Sequence, residues 1–257
     1  ENGYLKGPKL LDDAQVEHLR EELERVIRDQ KVPGIRQPAT CRNISKKEEH
    51  PVWQIVNIHW ASAGFRNLLD LPTLKEQILD LSGGEKMRLW HDQIQYKPAA
   101  TGGVNMWHQD APYWPVLGKA LGSFTAWIAL DEVDEDNGCM SMVPGSHLWG
   151  KATEVLAPLQ DFKALPADFK GNAVKVVPCP VGKGEVHFHH SMTWHGSHEN
   201  RSGRPRRAIA LHFMEEKNPF DQKENHLLKP YIDVKDQEPI QGKLFPIVAE
   251  KTLTSAR

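Results

Sequence analysis

The side chains most able to do chemistry in this 257-residue chain stand in Trp107-His108-Gln109-Asp110, where an imidazole and a carboxylate lie two residues apart. Side chains alternate along an extended strand, so His108 and Asp110 are expected to point the same way. Two such groups make half of a metal site. The candidate for the other half is His195, far away in Thr193-Trp194-His195-Gly196-Ser197. Two neutral imidazoles and one carboxylate on one side of a metal leave open positions opposite, an arrangement suited to non-heme Fe(II) and O2 chemistry. The pattern alone is weak in a chain with 13 histidines, and its bland reading is a pair of polar residues at a strand end.

Spacing does not single out the distal ligand, because His187, His189, His190 and His198 lie nearby. His195 is preferred for the glycine that follows it and for the arginines beyond: Arg201, Arg204, Arg206 and Arg207. That basic cluster has three readings. It is a solvated hairpin tip, a phosphate-binding patch, or the source of one inward arginine that holds a carboxylate through paired hydrogen bonds. The cysteines (Cys41, Cys139, Cys179) show no CxxC spacing and lie away from these histidines in sequence, which argues against structural zinc and against a disulfide framework. Aromatic and polar residues also gather around these stretches: Trp60, Trp90, Tyr113, Trp114 and Trp194, with His59, His91, Gln95 and Asn105. Some are expected to line a pocket, although aromatics in such folds more often fill the core.

The elements that must position these residues fall into three parts. Residues 1–86 read as a mainly helical flank. Asp12 and Gln15 form a capping-box pattern ahead of an apolar stripe of Val16, Leu19, Leu23, Val26 and Ile27, and two shorter helical pieces follow before Gly83-Gly84. Between them, 35–52 reads as a surface loop with the charged run Lys46-Lys47-Glu48-Glu49. From Met87 to Met214 the period becomes that of strands broken by Gly and Pro turns, with a polar insertion over 150–172. Residues 215–257 mix proline and charge and read as a tail. The class is mainly β with flanking helices, a double-sheet core in one domain over 1–257.

A formal net charge of −2 gives no support for a nucleic-acid partner, and no apolar run approaches the length of a membrane helix. The opening Glu1-Asn2-Gly3-Tyr4 shows no basic-then-apolar leader. A cytoplasmic protein acting on a small molecule is expected, with no nucleic-acid or membrane partner; the sequence does not bear on oligomeric state.

With these residues in hand, the chain resembles the phytanoyl-CoA dioxygenase (PhyH-like) family of Fe(II)/2-oxoglutarate oxygenases. The resemblance rests on Gln93 to Lys97-Pro98, His108-Gln109-Asp110, Ala126-Trp127-Ile128-Ala129-Leu130, Asn137-Gly138-Cys139, Pro144-Gly145-Ser146-His147, and His195-Gly196-Ser197 leading to Asn200 and Arg206-Arg207-Ala208. It implies a double-stranded β-helix (jelly-roll) core over 87–214, Fe(II) held by His108, Asp110 and His195, and 2-oxoglutarate and O2 as cosubstrates. Arg206, eleven residues after the distal histidine, would receive the remote carboxylate of 2-oxoglutarate, with Ser197, Trp127 and Gln93 lining that cosubstrate. Because Asp110 is present, the resemblance implies hydroxylation, with release of succinate and CO2, rather than halogenation. Two rivals stand beside it: a metal-dependent cupin-like enzyme that uses no 2-oxoglutarate, and a non-catalytic β-sandwich binding module whose histidines serve structure.

Overall fold

Residues 1–44 and 51–251 are described by a computed structural model. In chain order the elements are β1 (Tyr4–Lys9), α1 (Asp13–Arg28), β2 (Thr40–Asn43), β3 (Trp53–Val56), α2 (Ala63–Asn67), α3 (Pro72–Leu81), β4 (Met87–Lys97), β5 (Asn105–His108), β6 (Phe124–Ala129) and β7 (Met140–Met142). They continue as α4 (Thr153–Leu156), β8 (Asp168–Phe169), β9 (Asn172–Ala173), β10 (Val177–Cys179), β11 (Glu185–His190), β12 (His195–Ser197), β13 (Arg206–Glu215) and β14 (Ile247–Ala249).

Two antiparallel sheets face each other. The larger runs β1-β11-β6-β13-β4-β3-β2, with β14 also on β4, and the smaller runs β10-β7-β12-β5. Alternation along the central strands assigns the layers. Ala126, Ile128, Ile209, Leu211 and Phe213 turn outward and join Val16, Leu19, Leu23 and Val26 of α1 and Leu74 and Ile78 of α3 in one apolar cluster. The alternate residues Trp127, Ala129, Ala208 and Ala210 turn inward and meet Met140, Met142 and Cys179 of the smaller sheet. Helices therefore cover one face of the large sheet, and the jelly-roll interior lies on the other. Three alanines at inward positions leave space there, which a core built for density alone would fill.

Helix α1 starts where its capping box predicts: Gln15 N–H donates to the Asp12 carboxylate at 2.8 Å, and Asp12 N–H donates to Gln15 Oε1 at 2.9 Å. Gly83 and Gly84 end α3 with φ of 66° and 84°, left-handed values that glycine adopts without a Cβ penalty.

The flank carries the expected helices α1, α2 and α3. It also holds strands that were not expected, since β1 extends the large sheet beside β11 while β2 and β3 extend it beyond β4. These strands are short and mix polar with apolar residues, so period-2 alternation does not show. The 35–52 segment contains β2; its charged run Lys46–Glu49 lies outside the described residues. The C-terminal segment supplies β14 and buries Phe220, Leu228, Ile240 and Phe245 against Trp90 and Trp114. Proline and charge there mark turns between anchored residues.

One inward residue predicts its own pH signature. His187 is buried, lies against the Tyr4 ring at 5.6 Å, and has no hydrogen-bond partner on either ring nitrogen among the described residues. Burial, with His189 and His195 nearby, pushes its pKa down to about 3. The unfolded chain protonates this imidazole near pH 6.5, whereas the folded protein resists until about pH 3. Stability is therefore lost as pH falls through that window, by about 1.4 kcal/mol per pH unit for this group. His187→Leu is expected to remove this share of the acid sensitivity. Melting curves between pH 4 and 7 read it directly, and parallel pH dependences for the two proteins would refute it.

Candidate metal centre

His108 closes β5 and His195 opens β12, and the two are direct cross-strand partners in the smaller sheet. Antiparallel pairing thus brings together ligands far apart in sequence, with ring centroids 4.1 Å apart. Asp110 arrives differently from the strand alternation expected of it. The strand ends at His108, and Asp110 has helical dihedrals (φ −72°, ψ −48°) as the cap of a 3₁₀ turn over Ala111–Tyr113. The amides of Asp110 and Ala111 both donate to Ser191 O, at 2.8 and 3.0 Å, and pin that corner. Between the ligands Gln109 points away: its amide donates to Gly150 O and Met192 O and accepts from Ala152 N, stapling the 150s insertion to the site.

The ligating atoms of His108, Asp110 and His195 all lie within 4.8 Å of one another. Asp110 Oδ1 stands 3.6 Å from Nε2 of each histidine. Each ring turns its Nδ1 to a backbone carbonyl two residues earlier, His108 to Met106 O at 2.8 Å and His195 to Thr193 O at 2.9 Å. A carbonyl only accepts, so Nδ1 carries the proton and Nε2 presents a bare lone pair to the shared point. Burial, followed for His108 by the charge of His195, lowers both imidazoles to about 4 and keeps them neutral at pH 7. Burial alone would raise the Asp110 carboxyl; His195, His189 and His212 outweigh it and hold it well below the usual range.

The second carboxylate oxygen has its own supports. Asp110 Oδ2 accepts from His189 Nε2 at 3.3 Å and Thr125 Oγ1 at 3.2 Å, and His212 Nδ1 lies 2.7 Å from the same hydroxyl. With the Thr125 proton given to the carboxylate, His212 donates to Thr125. Oδ1 is left free for a cation. Supporting hydrogen bonds of this kind fix and tune a metal ligand. The other histidines near the distal position do not converge: His187 lies against Tyr4, His190 lies beside His147, and His198 bonds Glu199 O.

The arginine cluster resolves by strand alternation. Arg207 points outward to Asp131, Arg204 pairs with Asp134, and Arg201 pairs with Glu199. Arg206 alone turns inward and is fully buried. Its Nη2 donates to Ser197 Oγ at 3.0 Å and its guanidinium stands 5.5 Å from the Trp127 ring. Its Nε and Nη1, and Trp127 Nε1, are buried with no hydrogen-bond partner among the described residues. Burial lowers the Arg206 pKa to about 10, so it remains a cation at neutral pH. Ser197, Trp127, Gln95 and Asn105 line a narrow pocket against the triad. Buried donors without acceptors fit a carboxylate-bearing ligand, and the triad's mixed nitrogen and oxygen donors fit Fe(II).

Gln93 is not among the residues that line this inner pocket. It lines an outer cleft of about 500 Å³ that opens onto the metal centre beside His91, Asn105, Tyr113 and Trp114. Gln95, two residues on and on the same face, reaches both the cleft and the inner pocket. Arg42 donates to Gln54 Oε1 at 2.8 Å, and Gln54 Nε2 donates to Gln93 Oε1 at 3.1 Å. Arginine has no acceptor, so it fixes both amide orientations and leaves Gln93 its N–H donors for the cleft it lines. Trp90 and Trp194 pack in the interior, Trp60 is half-buried against Tyr231, and His59 bonds the buried Asp92. Thr125 and His212 were not singled out by sequence, whereas His189 stood only as an alternative distal ligand, Gln95 only as a pocket candidate and Lys97 only as part of a matching motif. Stepping by two from Arg206 and from Gln93 is the signal that reaches His212, Gln95 and Lys97.

A phytanoyl-CoA dioxygenase (PhyH) family model matches residues 1–208. The peroxisomal phytanoyl-CoA dioxygenase of Bos taurus is 28% identical over 98% of this chain and 74% of its own length. That of Mus musculus is 29% identical over 83% of this chain, which spans only 65% of its length. A methylphosphonate hydroxylase of Gimesia maris is 27% identical over 82% of this chain and 76% of its own. Among solved structures, the non-heme α-ketoglutarate-dependent carbocyclase SnoK from nogalamycin biosynthesis superposes with a TM-score of 0.77 at 26% identity, covering 96% of this chain and 92% of that one. No helix among the described residues is long and apolar enough to cross a membrane.

Proposed function

This chain belongs to the phytanoyl-CoA dioxygenase (PhyH) family of non-heme Fe/2-oxoglutarate-dependent oxygenases, and from that premise we propose that it hydroxylates a small molecule, with Fe(II) on His108, Asp110 and His195 and 2-oxoglutarate on Arg206. One observation carries the assignment of residues. Two bare imidazole nitrogens and one free carboxylate oxygen converge beside a pocket lined by Ser197 and Trp127, the two residues against which the buried Arg206 guanidinium is held. When bound, the iron and 2-oxoglutarate supply the oxidation: O2 is divided between succinate, formed with loss of CO2, and the substrate. The chain's part is to hold and aim. Nδ1 hydrogen bonds fix both imidazoles, His189 and Thr125 fix the carboxylate, and the buried guanidinium orients the cosubstrate where electrostatics are weakly screened.

Ser197 and Trp127 line the cosubstrate in this reading, and Gln95 takes the place first given to Gln93. Gln93 instead meets the substrate. Its amide orientation calls for an oxygen acceptor on that molecule, and the cleft dimensions suit a small molecule over a nucleic acid. The described cysteines are unpaired, which fits the cytoplasmic setting we infer. Anaerobic titration of the protein with Fe(II) and 2-oxoglutarate is expected to develop the visible charge-transfer absorption of a chelated 2-oxo acid. Aerobic incubation with a panel of small oxygen-bearing molecules should then release succinate, with one oxygen atom gained by the true substrate. Absence of the absorption band would count decisively against the assignment.

A further inference from the structure

Lys97, the last residue of β4, is fully buried, an unusual place for an ammonium group. It is the cross-strand partner of Arg206, so two cationic side chains lie together in the interior. Burial and the neighbouring guanidinium both press its pKa well down. Yet its Nζ meets three acceptors: Ser197 Oγ at 2.7 Å, Ser197 O at 3.1 Å, and His198 O. Three acceptors match the three N–H bonds of an ammonium, which is a donor only.

The consequence falls on Ser197. Its hydroxyl oxygen takes a hydrogen bond from Lys97 Nζ and another from Arg206 Nη2 at 3.0 Å. A hydroxyl has two lone pairs and one proton, and neither an ammonium nor a guanidinium can accept. Both lone pairs are filled, so the Ser197 proton must be given to something else. Among the described residues no acceptor is bonded to it, and Ser197 lines the inner pocket beside His195 and Trp127.

We propose that Lys97 is a positioning residue of the cosubstrate site: by filling one lone pair of Ser197 it fixes that hydroxyl as a donor to the remote carboxylate received by Arg206. This rests on the 2-oxoglutarate reading above. Lys97 does not touch the ligand. It sets the polarity of the group that does, and it ties β4 to the end of β12 just beyond the distal histidine.

Lys97→Met keeps the length and removes the donor, leaving Ser197 free to rotate. Calorimetric titration of the anaerobic Fe(II)-loaded protein with 2-oxoglutarate and with pyruvate, a 2-oxo acid lacking the remote carboxylate, tests the idea. The variant is expected to bind 2-oxoglutarate roughly 10-fold more weakly, the loss of one charge-assisted hydrogen bond, with pyruvate affinity unchanged within about twofold. Ser197→Ala should show the same selective loss, and the double variant should be little worse than either single one, because both changes remove one interaction. Equal weakening toward both acids would make Lys97 merely structural and overturn the proposal, as would unchanged affinities or fully additive losses. Lys97→Leu, which likewise carries no donor, replaces the methionine variant with the same expectation should circular dichroism show that variant unfolded. Failure of the underlying reading is separate and visible in the unmodified protein, as an equal preference for pyruvate and 2-oxoglutarate.

Discussion

Asp110→Asn is expected to lower Fe(II) affinity by more than roughly 100-fold, since even the loss of a ligand's supporting partner commonly weakens metal binding 10–100-fold. The substitution is nearly isosteric, and its effect follows from the two sides of the carboxylate. On one side Oδ2 accepts from His189 and Thr125; on the other Oδ1 faces the two bare imidazole nitrogens. An asparagine amide has one acceptor, and two buried donors compete for it against the metal. The amide oxygen settles with His189 and Thr125, which turns the NH2 group, unable to ligate, toward the iron position. The site then holds two neutral nitrogen ligands and no anion. Succinate formation and the anaerobic charge-transfer band should both vanish while the apoprotein melts no lower than the original. Competition against a chromophoric Fe(II) chelator measures the affinity. Retention within a few-fold would mean that Asp110 is not a ligand.

The sequence made the triad legible through residue type and order, but not through the local structure first assigned to it. His108 and Asp110 face the same point because the chain turns a 3₁₀ corner after β5, not because strand side chains alternate. The spacing survives while its mechanism changes. His195 could not be separated from four neighbouring histidines by spacing, because what distinguishes it is pairing opposite His108 across a sheet. Register between distant strands has no local signature. Arg206 was legible only through the family resemblance; in the structure, alternation along β13 sends Arg207 out to Asp131 and Arg206 in. The same period leads from Gln93, which lines the outer cleft, to Gln95, which also lines the inner pocket. What the sequence hid is a set of short added strands. Strands β1, β2, β3 and β14 add to a sheet whose centre is unmistakable, and edge strands of three to six residues carry too little alternation to announce themselves.

Arg206→Met is expected to weaken 2-oxoglutarate binding by roughly 100- to 1,000-fold, the loss of two charge-assisted hydrogen bonds of about 1.5–3 kcal/mol each, partly offset by relief of an unpaired cation. Fe(II) affinity measured without the cosubstrate should stay within about twofold, because none of the ligating atoms bonds the guanidinium. Arg206→Lys is expected to fall between, since an ammonium cannot reproduce a planar paired contact. The apoprotein supplies a second readout. In it Arg206 Nε and Nη1 are buried without partners among the described residues, so the methionine variant should melt at a higher temperature than the unmodified apoprotein. Adding Fe(II) and 2-oxoglutarate should raise the melting temperature of the unmodified protein and barely move that of the variant, reversing the order of the two. This crossing separates the cosubstrate role from its rivals. A cupin-like enzyme without 2-oxoglutarate would keep its activity on losing Arg206, and a non-catalytic module would show no cosubstrate-dependent shift in either protein. Only a cation held unpaired for an absent dianion makes its removal stabilising in one state and damaging in the other.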